Sequence, residues 1–287
     1  MEKNNLPVGI TGCADYKKKH VRSAMEALLE QIGGLDWLQS GMTVAIKTNL
    51  VSAAAPEKAV VTHPVVLTVL TELLRERGAS VIIGDSPGGL FTENALGHNY
   101  RLSGLFMARD AGAILNMDTS SQELTHPEGK VLHRFTCTSW LLQADAIIDC
   151  CKLKTHGMMA MSANIKNMFG VIPGTMKPEY HFRFPKHTDF ADMLIDLNTC
   201  LKPVLYLTDA IVGMEGNGPT SGTPRHIGAL LASQDPYGLD LLCAHLIGLS
   251  PEQVPTIVAA AKRGLGSMAL SDLQIIGDPA PYVVPDY

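Results

Sequence analysis

What this 287-residue chain lacks narrows its function before any motif is considered. Its six cysteines, Cys13, Cys137, Cys150, Cys151, Cys200 and Cys243, nowhere stand in C-x-x-C spacing. The chain therefore carries neither a zinc ribbon nor the ligands of an iron–sulfur cluster of its own. Reduced, mostly buried thiols are expected, with the adjacent Cys150 and Cys151 the pair to follow. No apolar run reaches the roughly 18 residues that a membrane helix needs, and MEKNNLPVGITGC has no basic segment leading into an apolar one. That predicts a cytoplasmic protein with no membrane partner. Positive charge is also short, with 23 Lys and Arg against 28 Asp and Glu and a net charge of −5. Broad electrostatic binding to nucleic acid is excluded on that balance. There is no repeat, low-complexity tract or long linker, and neither a GxGxxG nor a Walker sequence.

What is present is a hydrophobic content of 46%, enough to bury a full core. Val- and Ile-rich runs at 7–11, 43–49, 80–85, 146–150, 204–209 and 227–233 alternate with amphipathic segments at 19–32, 63–77, 98–110, 187–200, 236–247 and 251–263. This alternation predicts an α/β fold with a mainly parallel sheet flanked by helices, as a single domain over 1–287. THPVVLTVLTELLRERGA reads as the cleanest helix, with a threonine cap, Pro64 in the first turn and Gly78 at its end. The stretch 113–140 departs from the pattern and predicts a small antiparallel insertion.

Four predicted strands end in polar or glycine-rich residues: Lys47-Thr48-Asn49, Asp85-Ser86-Pro87-Gly88-Gly89, Lys152 to His156, and Asp209 followed by the glycine-rich loop around Glu215. In an open parallel sheet ligands sit beyond the carboxyl ends of the strands, so these loops are candidates for one crevice. Local charge adds weight. From 152 to 187 there are six Lys or Arg against the single acid Glu179, together with His156, His181 and His187. These cations stand beside Met158, Met159, Met161, Ile165, Met168 and Phe169. An ammonium in apolar surroundings must find an anion or lose its proton. The spacing over 157–169 predicts a helix opening near Gly157, with its first amides toward Lys154 and His156 and with Ser162 and Lys166 sharing a face. The expected ligand is a small carboxylate or phosphate in a mostly apolar pocket.

KTNLVS (47–52), VVTHPVV (60–66), IGDSPGG (83–89), KLKTHG with IKNMFGVIPG (152–174), MEGNGPTSGTPR (214–225) and ASQDPYGLD (232–240) strongly resemble the family catalogued as domain of unknown function 362. The likeness spans roughly 40–270. Many of its members carry ferredoxin-like cysteine segments and are labelled iron–sulfur proteins; this chain has no such segment. A second resemblance is to lactate-racemase-like proteins, in which a histidine precedes by ten residues a lysine bearing a nickel pincer. Here His156 and Lys166 are ten apart, Pro173-Gly174 follows, and His181 lies fifteen beyond the lysine. That resemblance implies His156 as acid/base, Lys166 as a cofactor attachment point and His181 as a nickel ligand.

The leading expectation is an enzyme for a small anionic metabolite, using His156 as general acid/base, Lys166 to stabilise developing charge or to form a covalent bond, and Lys154 to hold the anion. Such chemistry suits an isomerase, a lyase or a redox reaction. Lys47, Asn49, Asp85, Ser86, Lys152, Asn167 and Arg225 complete the expected substrate-binding set. His181, Asp209 and Glu215 are the candidate ligands of a divalent metal, and the cofactor's identity stays open. The alternative is a non-catalytic cofactor-binding or accessory protein for iron–sulfur or redox partners. Met-rich segments such as 157–169 leave a homo-oligomer open as well.

Overall fold

A computed structural model describes residues 6–287. The strands are β1 (Val8–Gly12), β2 (Thr43–Lys47), β3 (Ser80–Gly84), β4 (Ile114–Leu115), β5 (Ser121–Thr125), β6 (Arg134–Thr138), β7 (Ala146–His156), β8 (Ala160–Ser162), β9 (Leu205–Glu215), β10 (Thr223–Ser233) and β11 (Ile275–Ile276). The helices are α1 (Lys18–Gln31), α2 (Pro64–Glu76), α3 (Glu93–Leu102), α4 (Phe106–Asp110), α5 (Ser139–Leu142), α6 (Asn164–Asn167), α7 (Lys177–Arg183), α8 (His187–Leu201), α9 (Pro236–Leu246) and α10 (Pro255–Lys262).

Nine strands form one sheet in the order β11-β1-β10-β9-β7-β2-β3-β4, with β8 paired to β7. The pairs β2/β3, β2/β7, β3/β4 and β7/β9 are parallel, whereas β10 runs antiparallel to both β1 and β9. The mainly parallel α/β fold is as the alternation predicted. The insertion divides: Ile114–Leu115 extends the edge of the main sheet, and β5 with β6 makes a separate antiparallel pair.

Successive residues of a strand serve opposite faces. Val44 and Ile46 pack with α1 and α2 on one face, while Ala45 packs with α8 on the other. Cys150 and Cys151 divide in the same way between two core clusters, and all six thiols are free. Each Leu or Val sealed in such a core contributes about 1.5–3 kcal/mol relative to an exposed position.

Some local expectations change. The cap of α2 is His63, whose Nδ1 accepts from Val65 N at 3.3 Å; Thr62 instead accepts from Asn49 N and donates to Cys150 O. The helix expected at 98–110 is two, broken at Gly104, where φ is +73°. No helix opens at Gly157. Residues 160–162 form β8 against the end of β7, and helix begins again only at Asn164.

The chain order places the site. From β2 the chain moves outward to β3 and β4, then returns to lay β7 on the other side of β2. That reversal opens a crevice beyond the carboxyl ends of β2 and β7, the location where open α/β sheets hold ligands.

Candidate functional site

A cavity of about 290 Å³ lies beyond those strand ends. Its walls include Asn49, Asp85, Ser86, Lys154, His156, Ser162, Lys166, Asn167, Phe169, Lys177 and His181. Register explains much of the convergence, because Lys47 stands opposite Gly84 on β3 and opposite Asp149 on β7, and Lys154 opposite Ser162 on β8.

Beneath the floor, Lys47 Nζ lies 2.8 Å from Asp85 Oδ1, with both side chains buried. Asp85 also accepts from Ser86 N at 2.8 Å and from Leu50 N at 2.7 Å, so its charge is matched and its oxygens are occupied. Gly170 covers this pair so closely that a Cβ there would stand 2.1 Å from Asp85 Oδ1 and 2.6 Å from Lys47 Nζ. Only glycine permits that approach.

Lys154 Nζ donates to Asn49 Oδ1 and Val60 O, both at 2.8 Å. Asn49 Nδ2 donates to Asn167 Oδ1 at 2.9 Å, and Asn167 Nδ2 donates to Asp149 Oδ1 at 2.7 Å. Burial pushes the Asp149 carboxyl at the end of this polar chain well above the usual carboxylate range, against the opposing pull of Lys47 and the Asn167 hydrogen bond. Among the described residues Lys154 thus has hydrogen bonds but no carboxylate partner. Burial pulls its pKa down to about 7, and the charges of Lys166 and Lys152 add to the fall.

Lys166 is carried by α6, a single turn anchored by Asp240 of α9. Asp240 accepts from Asn164 N at 2.9 Å and Asn164 Nδ2 at 3.0 Å through one oxygen, and from Ile165 N at 3.3 Å through the other. Among the described residues Lys166 Nζ makes no hydrogen bond or ion pair; it sits 5.0 Å from the Phe169 ring centroid and 5.9 Å from that of Phe190. Burial, then Lys177 and Lys47, lower its pKa to about 7. Lys177 donates to Ser86 O. Burial brings its pKa to about 8, against the opposing pull of Asp85.

His156 closes the tight turn after β7. Its Nδ1 accepts from Met158 N at 3.1 Å and Met159 N at 3.2 Å. With Nδ1 held as an acceptor, the neutral ring carries its proton on Nε2. Burial, followed by Lys166 and Lys154, lowers its pKa to about 3, so the ring stays neutral and presents a donor. His181, exposed at the rim, stacks on Phe190 with ring centroids 4.7 Å apart.

Asn49, Asp85, Ser86, Lys154, His156, Lys166, Asn167 and His181 therefore meet at one cavity, and Lys47 lies directly beneath it. Lys152 does not join them. It pairs with Asp209 at 2.6 Å and donates to Tyr16 OH and Val212 O. Tyr16 in turn stacks on His63, with centroids 3.5 Å apart. Arg225 is likewise outside, bonded to Asp286 at 2.8 Å and 3.6 Å from Glu215. The metal set also separates, since His181 is at the rim, Asp209 holds Lys152 and Glu215 faces Arg225. Among the described residues no three His, Cys, Asp or Glu side chains gather to hold a metal ion. Sequence reasoning missed Lys177 as a site residue, although it belongs to the same basic span; its place is set by the tertiary contact with Ser86.

The family described as Domain of unknown function (DUF362) matches residues 44–245, a span holding all of these walls. The chain belongs to that family. It is similar to the thylakoid-associated protein sll1697 of Synechocystis sp., with 28% identity over 286 residues covering 98% of this chain and 86% of the relative. Two solved structures show a distant likeness at 12% identity. One is the lactate racemase apoprotein from Thermoanaerobacterium thermosaccharolyticum, with a TM-score of 0.47 over 79% of this chain and 54% of that one. The other is a protein from Thermotoga maritima, with a TM-score of 0.44 over 76% of this chain and 55% of that one. The chain thus spans little more than half the length of either solved neighbour. Among the described residues no helix is long and apolar enough to cross a membrane.

Proposed function

We propose that this DUF362 protein is a cytoplasmic enzyme that binds a small carboxylate or phosphate in the cavity and acts on it by acid–base chemistry. One observation carries the reading: the amines of Lys154, Lys166 and Lys177 line a single cavity, and among the described residues none of them pairs with a carboxylate. Desolvated cations without counterions favour an incoming anion, which restores their charge and is held by it.

In this reading Lys154 and Lys177 grip the anionic group. His156 donates from Nε2 to a substrate oxygen, the role of a neutral imidazole that polarises a carbonyl. Its Nδ1 is engaged by two amides, so proton removal falls to a lysine amine, a change from the expectation that His156 serves as base. Thermal-shift titration with phosphate, pyruvate and larger carboxylates tests the reading. Stabilisation that disappears in Lys154→Met or Lys177→Met supports it, and no shift across the panel rules it out.

A second reading is an accessory protein whose cavity is covered by a partner. It is favoured by Leu90 and Phe182, 71% and 87% exposed, which adjoin the wall residues Gly89 and His181. Exposed apolar groups beside a ligand cavity suit a docking partner. Binding of an anion without turnover would favour this reading over catalysis.

A further inference from the structure

Resting on the anion reading above, we propose that Lys166 is a nucleophile and that the cavity's ligand is a small anion bearing a ketone or aldehyde, a 2-oxo acid, which Lys166 captures as an imine. Five lysines lie near the ends of these strands, Lys47, Lys152 and Lys154 buried and Lys166 and Lys177 half-buried. Lys47 is spent on Asp85 and Lys152 on Asp209. Lys154 is fixed by Asn49 and Val60, and Lys177 donates to Ser86. Lys166 alone of these five projects into the cavity with no hydrogen bond or ion pair among the described residues, against the rings of Phe169 and Phe190.

A nucleophilic amine needs a free lone pair, and desolvation beside other cations supplies it near neutral pH. The pKa of about 7 at Lys166 agrees with that geometry. Around it stand the groups that the condensation needs. Lys154 and Lys177 take the carboxylate, and His156 presents a donor to the carbonyl oxygen. Buried Ser86 also lines the cavity, and among the described residues its Oγ is without a hydrogen-bond partner. A liquid water occupies about 30 Å³, so the cavity holds roughly ten atoms of that size, the scale of a small oxo acid.

The step balances without any oxidant or reductant. The neutral Nζ attacks the carbonyl carbon, a C–N bond forms, and the C=O electron pair moves to oxygen, which is hydrogen-bonded by His156 Nε2–H and takes its proton from a neighbouring ammonium, Lys154 or Lys177. The carbinolamine nitrogen returns a proton to that donor. The hydroxyl then takes a proton from that same ammonium and leaves as water, and the nitrogen lone pair forms the C=N bond of a protonated imine. Its positive charge draws electrons from the adjacent carbon, which is the activation that proton transfer or bond cleavage there requires.

The test is reductive trapping on the full chain. Folded protein is incubated with pyruvate, glyoxylate or 2-oxoglutarate and sodium borohydride, then read by intact mass and peptide mapping. The expected product is a single adduct, for pyruvate one pyruvate less one oxygen atom, mapped to Lys166 and forming faster as pH rises through the lysine's titration. Lys166→Arg, which keeps the charge, should abolish it, while Lys177→Met should keep the labelled position and require more pyruvate. Oxo acids that raise the melting temperature yet leave no adduct overturn the imine and leave anion binding intact. Labelling that survives in Lys166→Arg also overturns it. Failure of every oxo acid and of phosphate to bind removes both proposals.

Discussion

Lys47 Nζ and Asp85 Oδ1 stand 2.8 Å apart beneath the cavity, with Gly170 pressed against both. The pair joins the ends of adjacent parallel strands and fixes the loop that carries Ser86. Since the backbone carbonyl of Gly170 also accepts from Ser86 N at 3.2 Å, the IGDSPGG and NMFG segments close on one another here.

Gly170→Ala should therefore be far more costly than its chemistry implies. The added methyl cannot coexist with the pair, and separating buried partners costs about 3–5 kcal/mol. Urea denaturation measures this directly. A loss below 1 kcal/mol, by the same yardstick roughly the worth of a surface pair, would show that the contact relaxes freely.

Removing a lysine should stabilise the protein at Lys166. The group's folded pKa, about 7, lies below the ordinary lysine value of 10.5, so the folded state resists its charge. Below about pH 7 both states are protonated and the penalty is complete; between 7 and 10.5 the folded state sheds its proton first, and the penalty shrinks. Lys166→Met should thus gain roughly 1–3 kcal/mol at about pH 6, with less advantage at about pH 10. Lys154→Met should show no such gain, because it strands Asn49 Oδ1 and Val60 O. Paired melts across pH decide it, and a destabilised Lys166→Met contradicts the account.

Anion affinity should move with pH in the opposite sense to amine reactivity. With Lys154 and Lys166 near 7 and Lys177 near 8, all three are charged only below neutrality. Phosphate or pyruvate should bind most tightly at about pH 6 and lose about ten-fold or more by about pH 9, since each bound anion stabilises the protonated amines. Calorimetric titration at several pH values reads this. A flat profile would place the anion elsewhere.

How much of this was legible beforehand depended on whether the signal was local. The runs at 43–49 and 80–85 declare strands because each is a short apolar run rich in Val and Ile, and their polar ends point to the crevice. β7 runs six residues beyond the predicted 146–150, because Lys152 and Lys154 read as loop residues until β9 supplies the partner Asp209. Local spacing predicts a helix start at Gly157, where the chain turns instead, since nothing local shows His156 Nδ1 taking the two amides. A lysine with a distant carboxylate and one without look alike in sequence, so sequence alone groups Lys152 with Lys154 and does not single out Lys177.

That distinction between the lysines can be checked by substitution. Lys152 and Asp209 form a closed pair, joined by Tyr16, whose hydroxyl donates to Asp209 Oδ1 at 2.9 Å. Lys152→Met leaves a buried carboxylate without its cation, at a cost of about 3–5 kcal/mol. Asp209 does not line the cavity, so the folded fraction of the variant should keep its affinity for phosphate, whereas Lys154→Met should lose affinity with a smaller change in stability. Melting temperature and binding constant measured on both variants separate the two roles. Equal loss of binding in each would mean that Lys152 acts on the ligand after all, through its electrostatic reach to Lys154.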